Sequence, residues 1–347
     1  MGMELIKPNM LNKGDKVAAV SLSWGGAGEP DLLHRYNRGK KVLEEQFGLQ
    51  VIEMPHTLKG AEYVYKHPQE RAKDLMAAFA DPSIKGIFSC IGGDESVRLL
   101  PYIDYSIIRN NPKVFIGYSD TTVTHMVCRR AGISSFYGPS ILAEFAENVK
   151  LFDYTAHWVQ KSLFTGDIIG SIEASPVWTS EHLPWEDQSL KRERKMEKHE
   201  GYEVLQGEGT RTGRLIGGCI EVLEMLKGTD VWPSLAEWEG SIIFFETSED
   251  KTEPKYIEYW LRNYGSQGIL QKASALLFGK PYDNSFYEEY KEVIVRVVRD
   301  ELGLSDLPIF FNMNFGHTSP MCVLPYGARA TVDCENRMFS IEEPGTI

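Results

Sequence analysis

Through roughly the first 150 residues, short apolar runs alternate with amphipathic stretches, and this alternation restricts the fold more than any other feature of the chain. KVAAVSLS (16–23) is too short for a helix and ends in the breaker cluster WGGAGEP, so it reads as a buried strand. In the next stretch Leu32, Leu33, Tyr36, Val42, Leu43 and Phe47 recur near helical spacing, and Gly48 supplies a stop. The pattern repeats, with LQVIEMP, KGIFSCIGG and KVFIGYSD as strands and QERAKDLMAAFAD, DESVRLLPYI and TTVTHMVCRRAG as helices. Strands separated by helices of this length specify an α/β class with a parallel sheet and helices on its faces.

The pattern changes after about residue 150. FDYTAHWVQKSLFTG is one more helix, and the segment from Ser171 to Gly213 is polar, rich in turn formers and without sustained period. Its run KRERKMEKHE mixes both signs of charge, as expected of a solvated loop or hairpin. Regular structure resumes at Arg214. RLIGGCIEVLEMLKG is expected to be a turn leading into a helix, SIIFFETSE a strand, PKYIEYWLRNYGSQG a helix, ASALLFGK a strand and SFYEEYKEVIVRVVRDELG a helix. Short strands with a hairpin close the chain. The expected organisation is an N-terminal α/β domain over 1–165, a linker and substrate loop over 166–213, and a C-terminal domain over 214–347. A length of 347 residues fits two domains.

Composition narrows the function classes. With 37 Lys plus Arg against 49 Asp plus Glu, the net charge of −12 opposes binding to nucleic-acid phosphates. The 5 cysteines stand far apart with no C-x-x-C, against a disulfide framework or zinc ribbon and in keeping with a reducing cytoplasm. No apolar stretch reaches the length of a membrane span, and the N-terminus lacks a secretory h-region.

Three strand ends carry reactive residues. In KVFIGYSDTT, Ser119 lies between a strand and a helix, the setting in which a tight turn exposes a hydroxyl at the carboxyl edge of a sheet. The match to G-x-S-x-G is partial, since Thr121 holds the last position, and on local sequence Ser119 or Asp120 serves equally as a helix cap. In KGIFSCIGGDES, Gly92 and Gly93 can form an anion-binding nest or a plain tight turn. The third place is a pair: FFETSED and NFGHTSP each end an apolar strand in one ionisable residue, Glu246 and His317. Acyl transfer needs a nucleophile, an imidazole base, a carboxylate to orient it and N–H donors for the oxyanion. Ser119, His317, Glu246 and the Gly92-Gly93 turn supply all four, in the chain order Ser, acid, His known on α/β folds. His125, nearly two helical turns beyond Ser119, should point elsewhere. No dinucleotide G-x-G-x-x-G, phosphate-binding loop or metal-spaced His pair is present.

Five ordered motifs, IGGDESVRLL, IGYSDTT, LIGGCIEVL, FFETSE and FGHTSP, resemble the LD-carboxypeptidase family of serine peptidases, and within it the branch of microcin C self-immunity proteins, over essentially the whole chain. The resemblance implies a parallel-sheet α/β domain carrying Ser119 and a smaller, β-rich α/β domain that brings Glu246 and His317 to it across the interface. It also implies a cytoplasmic homodimer without metal or cofactor, with the backbone N–H groups of Gly93 and Asp120 as the oxyanion hole. The murein-recycling branch reads R-G-G-Y-G where this chain has Ile91-Gly92-Gly93-Asp94-Glu95, which moves the expected substrate from a tetrapeptide to an aminoacyl or peptidyl nucleotide. Trp178 and Trp185 fall in the loop that stacks on the nucleobase in the self-immunity branch, and Lys251 is expected to meet an anionic group. The rival functions are an LD-carboxypeptidase releasing terminal D-alanine from muropeptides, and a non-catalytic nucleotide- or peptide-binding module.

Overall fold

The computed structural model describes residues 4–347. The apolar runs of the first half are strands of one six-stranded sheet, in the spatial order Gln50–Glu53, Lys16–Val20, Ile84–Ser89, Val114–Gly117, Phe136–Tyr137 and Leu324–Pro325. The first five run parallel. Because helices cover both faces, Val17–Val20 and Val114–Gly117 are buried throughout, which is why they read as continuous apolar runs and not as alternating ones. DESVRLLPYI departs from its expected α-helix. Pro101 lies inside it and cannot donate a backbone hydrogen bond, and the segment is a 3-10 helix over Ser96–Tyr102.

The second sheet has eight strands, and its parallel centre is Thr210–Cys219, Ser241–Glu246, Ala275–Gly279 and Ile309–Met313. Antiparallel strands complete both edges: Arg329–Asp333, Met338–Ile341 and Gly170–Ser171 on one side, Glu203–Gln206 on the other. Two expectations are corrected here. LIGGC is strand, not turn, and its glycines mark close approach: a Cβ on Gly217 would lie 1.8 Å from the Phe244 carbonyl oxygen of the neighbouring strand. The segment 166–213 is more than a linker, since Glu203–Gln206 and Thr210–Gly213 belong to the second sheet. Its charged run is a loop ending in a two-residue ribbon, Glu197–Lys198 paired antiparallel with Val177–Trp178.

The two sheets are interlocked. Leu324–Pro325, from the end of the chain, pairs with Phe136–Tyr137 in the first sheet. Cys219 at the end of the central strand of the second sheet donates its N–H to the Thr122 hydroxyl, 3.2 Å away, in the first turn of the helix Thr122–Ala131. A Cβ on Gly218 would meet the same Thr122 side chain at 2.5 Å. The carboxyl ends of Val114–Gly117 and Ser241–Glu246 thereby face one another. Among the described residues no helix is long and apolar enough to cross a membrane.

Candidate active site

Val114–Gly117 delivers Ser119 into a sharp turn. Tyr118 is extended, Ser119 has φ +62°, and a 3-10 turn over Ser119–Thr121 runs straight into the helix Thr122–Ala131. A positive φ is unfavourable for a residue with a Cβ and persists where surrounding contacts over-determine it. Here the Ser119 N–H donates to the Tyr137 hydroxyl oxygen at 3.1 Å. Gly117 admits the turn, because a Cβ there would lie 2.8 Å from the side chains of both Ser89 and Thr121. The side chain of Ser119 is therefore presented to the cavity and not turned back as a cap; no side-chain cap closes this turn.

Ser119, Glu246 and His317 come together from both sheets. His317 Nε2 lies 3.0 Å from Ser119 Oγ, and Nδ1 lies 2.6 Å from Glu246 Oε2. Glu246, the last residue of its strand, is buried, and its other carboxylate oxygen accepts a hydrogen bond from the Tyr137 hydroxyl. Tyr137 thus joins the nucleophile's backbone to the acid. Gly316, with φ +96°, lets the chain turn over Glu246: a Cβ there would meet Oε2 at 2.5 Å. Burial, the largest single influence, lowers the pKa of His317; the charge and hydrogen bond of Glu246, with the charges of Glu249 and Glu221, outweigh it and raise the group to about 9. His125 is elsewhere, buried between the Ser135 hydroxyl and the Gly117 carbonyl.

The Gly92-Gly93 turn packs on Ser119. A Cβ on Gly92 would lie 2.8 Å from Ser119 Cβ and 3.3 Å from the Asp120 nitrogen. Gly93 has φ +140°, and its missing Cβ leaves room for Ser23 Oγ at 2.4 Å. The Asp120 carboxylate fixes the two loops to each other by accepting from the N–H groups of Glu95 and Ser96 at 3.0 and 2.8 Å. The Asp120 N–H itself opens the 3-10 turn, where the first N–H groups have no partner within the helix. A hydroxyl, an imidazole and a carboxylate in this order, next to a tight turn and the start of a helix, are the kinds of group that acyl transfer uses.

Ser119, His317, Gly92 and Gly93 border a cavity of about 420 Å³. Trp185 lines it, with the Arg35 guanidinium 4.5 Å from the ring centroid. Trp178 does not reach it: the ring is buried in the ribbon with the Lys280 ammonium 4.0 Å away. Lys251 is also outside the lining, paired with Asp283 at 2.7 Å and 6.0 Å from the ring of Tyr282, which does line the cavity. Sequence reasoning missed Tyr137, Arg35 and Glu249. Arg35 sits in the first helix, where its spacing reads as a solvated face, yet it is buried and donates to the Leu142 and Ala143 carbonyls. Only Glu249, in the loop right after Glu246, carried a signal, its nearness to the expected acid.

Family models for the LD-carboxypeptidase N-terminal and C-terminal domains match residues 17–138 and 212–332. The microcin C7 self-immunity protein MccF of Escherichia coli is 30% identical over 312 residues, covering 89% of this chain and 88% of that protein. The crystal structure of an MccF-like protein from Streptococcus pneumoniae in complex with AMP superposes with a TM-score of 0.88 at 34% identity, covering 95% of this chain and 99% of that one. MccF in complex with aspartyl sulfamoyl adenosine superposes with a TM-score of 0.84 at 27% identity, covering 99% and 100%.

Proposed function

This chain belongs to the LD-carboxypeptidase family, and on that premise we propose that it is a serine hydrolase cleaving the amide bond that joins an aminoacyl or peptidyl group to a nucleotide. The observation that carries the chemistry is the placement of His317 between Glu246 and Ser119, at 2.6 and 3.0 Å. Ser119 Oγ attacks the carbonyl carbon as His317 Nε2 takes its proton, and Glu246 holds the imidazole in the Nδ1–H tautomer and offsets its positive charge. The N–H groups of Gly93 and Asp120 receive the oxyanion. His317 then protonates the departing amine, and a water activated by the same imidazole releases the acyl group from Ser119.

The nucleotide half of the reading rests on Trp185, an aromatic face in the cavity wall held by Arg35, and on the nucleotide ligands of the similar structures. In this reading Lys251 meets an anionic substrate group only by leaving Asp283, its partner at 2.7 Å. Purified protein incubated with an aminoacyl sulfamoyl adenosine, and separately with a murein tetrapeptide, tests it by product analysis. Release of amino acid from the first and no D-alanine from the second is the expected result. The reverse pattern assigns the protein to muropeptide trimming, and silence on both, with Ser119 unlabelled by a serine-directed probe, leaves a binding module.

A further inference from the structure

We propose that Glu249 selects the acyl group of the substrate, its carboxylate receiving the free α-ammonium of the residue whose carbonyl Ser119 attacks. The inference rests on the amide-hydrolase reading above and adds to it which acyl groups are accepted.

Glu249 stands three residues beyond Glu246, where the strand has ended, and its side chain is 61% exposed in the cavity wall. Its Oε2 lies 3.1 Å from His317 Nε2, the same nitrogen that faces Ser119 Oγ. That nitrogen carries one proton or none. When His317 is neutral and poised as a base, its Nδ1–H is given to Glu246 and its Nε2 lone pair must face the serine O–H. The Glu249 carboxylate then faces a lone pair, an arrangement without attraction. In the working state the carboxylate is therefore open to another cation, and among the described residues no Lys or Arg lies within 4.0 Å of it. Three of the other acids in the lining are already engaged: Glu147 with Arg194 at 2.6 Å, Glu181 with Arg192 at 2.7 Å, and Glu144 with the Ser140 N–H at 3.1 Å.

The position suits one substrate group. The carboxylate oxygen is within about 6 Å of Ser119 Oγ, by way of His317. In an attack geometry the carbonyl carbon is about 3–3.5 Å from the hydroxyl, and the α-nitrogen is two bonds further on, about 2.5 Å away. An α-ammonium thus comes within reach of the Glu249 carboxylate. An N-acylated residue, as in a longer peptidyl conjugate, brings a neutral amide to the same place. A substrate ending in D-alanine would bring its terminal carboxylate near the scissile bond, where Glu249 repels it.

The test compares the parent and Glu249→Gln on an aminoacyl sulfamoyl adenosine and its N-acetyl counterpart. The exposed side chain makes no packing contribution of note, and matching thermal melts establish that the variant is folded. The parent should prefer the free amine, and in the variant the ratio of kcat/KM on the free amine to that on the N-acetyl substrate should fall about 10- to 100-fold, the range for a hydrogen bond to a charged group; the ratio is the readout because losing the Glu249 charge also lowers the His317 pKa and shifts both rates together. Equal treatment of the two substrates by the parent overturns the inference and leaves the hydrolase reading standing. So does an equal loss or an equal gain on both in the variant, the last showing a contact that merely restrains His317. Turnover of neither substrate by the parent removes the hydrolase reading and the inference with it.

Discussion

The two ends of the cavity are built on different principles. At the end where Ser119 lies, the groups stand on strand termini and are locked from behind: Glu246 is buried, His317 is held by it at 2.6 Å, and Tyr137 ties Glu246 to the Ser119 backbone. At the far end, the wall comes from the excursion between residues 181 and 194, and it is fastened by ion pairs, Glu181 with Arg192 at 2.7 Å and Glu147 with Arg194 at 2.6 Å. Hydrogen-bonded groups on rigid strands keep the sub-ångström placement that bond making requires. A wall of loop whose Glu181–Arg192 pair lies at the surface, worth about 0–1 kcal/mol, is open to variation at little cost to the fold, while the largely buried Glu147–Arg194 pair anchors its end. Mutations at the first end should therefore act on kcat, and mutations at the second on KM.

The largest effect belongs to the first end. Ser119→Ala should lower kcat by about 10⁴-fold or more, with an unchanged melting temperature, since Oγ reaches into the cavity and fills no core space. A folded alanine variant within tenfold of the parent would break the comparison at its root. The parent's pH profile follows from His317. The base must be neutral, and a pKa raised to about 9 keeps it protonated at neutral pH, so kcat/KM should climb about tenfold per pH unit between 6 and 8 and level off above about 9. A plateau already reached at pH 7 would mean that the free enzyme holds His317 in another arrangement, one that relieves the Glu246 and Glu249 charges.

The same division governs what a reader of the sequence can find. Ser119, Glu246 and His317 announce themselves because each ends an apolar run, a local pattern that needs no knowledge of the partner strand. Tyr137 does not, although it touches two of them: its strand is two residues long, and SSFYGPS carries neither period nor length. LIGGC reads as a turn because glycine is a breaker in isolation, whereas here Gly217 is demanded by the carbonyl of Phe244 across the ladder. That information is non-local. At the far end the sequence offers two tryptophans in one polar loop, and nothing local tells which ring faces the cavity. The ribbon pairing of Val177–Trp178 with Glu197–Lys198 decides it.

Those two tryptophans sharpen the comparison. Trp178→Ala empties a buried site and removes the ring that faces Lys280, so it should cost about 3–5 kcal/mol of stability and leave KM nearly unchanged in the folded fraction. Trp185→Ala should do the opposite. It leaves the melting temperature close to the parent's and removes about 1–3 kcal/mol of binding from nucleotide substrates, read as a rise in KM with kcat intact. A melting curve and a kinetic series on each variant separate the cases. If both variants lose stability equally and KM moves in neither, the aromatic wall has no part in binding.

The smallest expected effect concerns Lys251, where two weak interactions compete for one cation. Its ammonium is held by Asp283 at 2.7 Å at the protein surface. To meet an anionic substrate group beside Tyr282 it must give up that partner, and the exchange of one exposed pair for another yields little net energy. Lys251→Ala should therefore raise KM by less than about fivefold at low salt, and the difference should fade as ionic strength screens it. Asp283→Asn makes the test directional. It frees the ammonium, so if Lys251 serves the substrate this variant should lower KM, opposite in sign to the alanine change. If Lys251 instead only pins its loop, where its own φ is +54°, both substitutions remove the same pair and must shift KM in the same direction. Measuring the two variants side by side at low and high salt distinguishes a loose binding contact from a structural one.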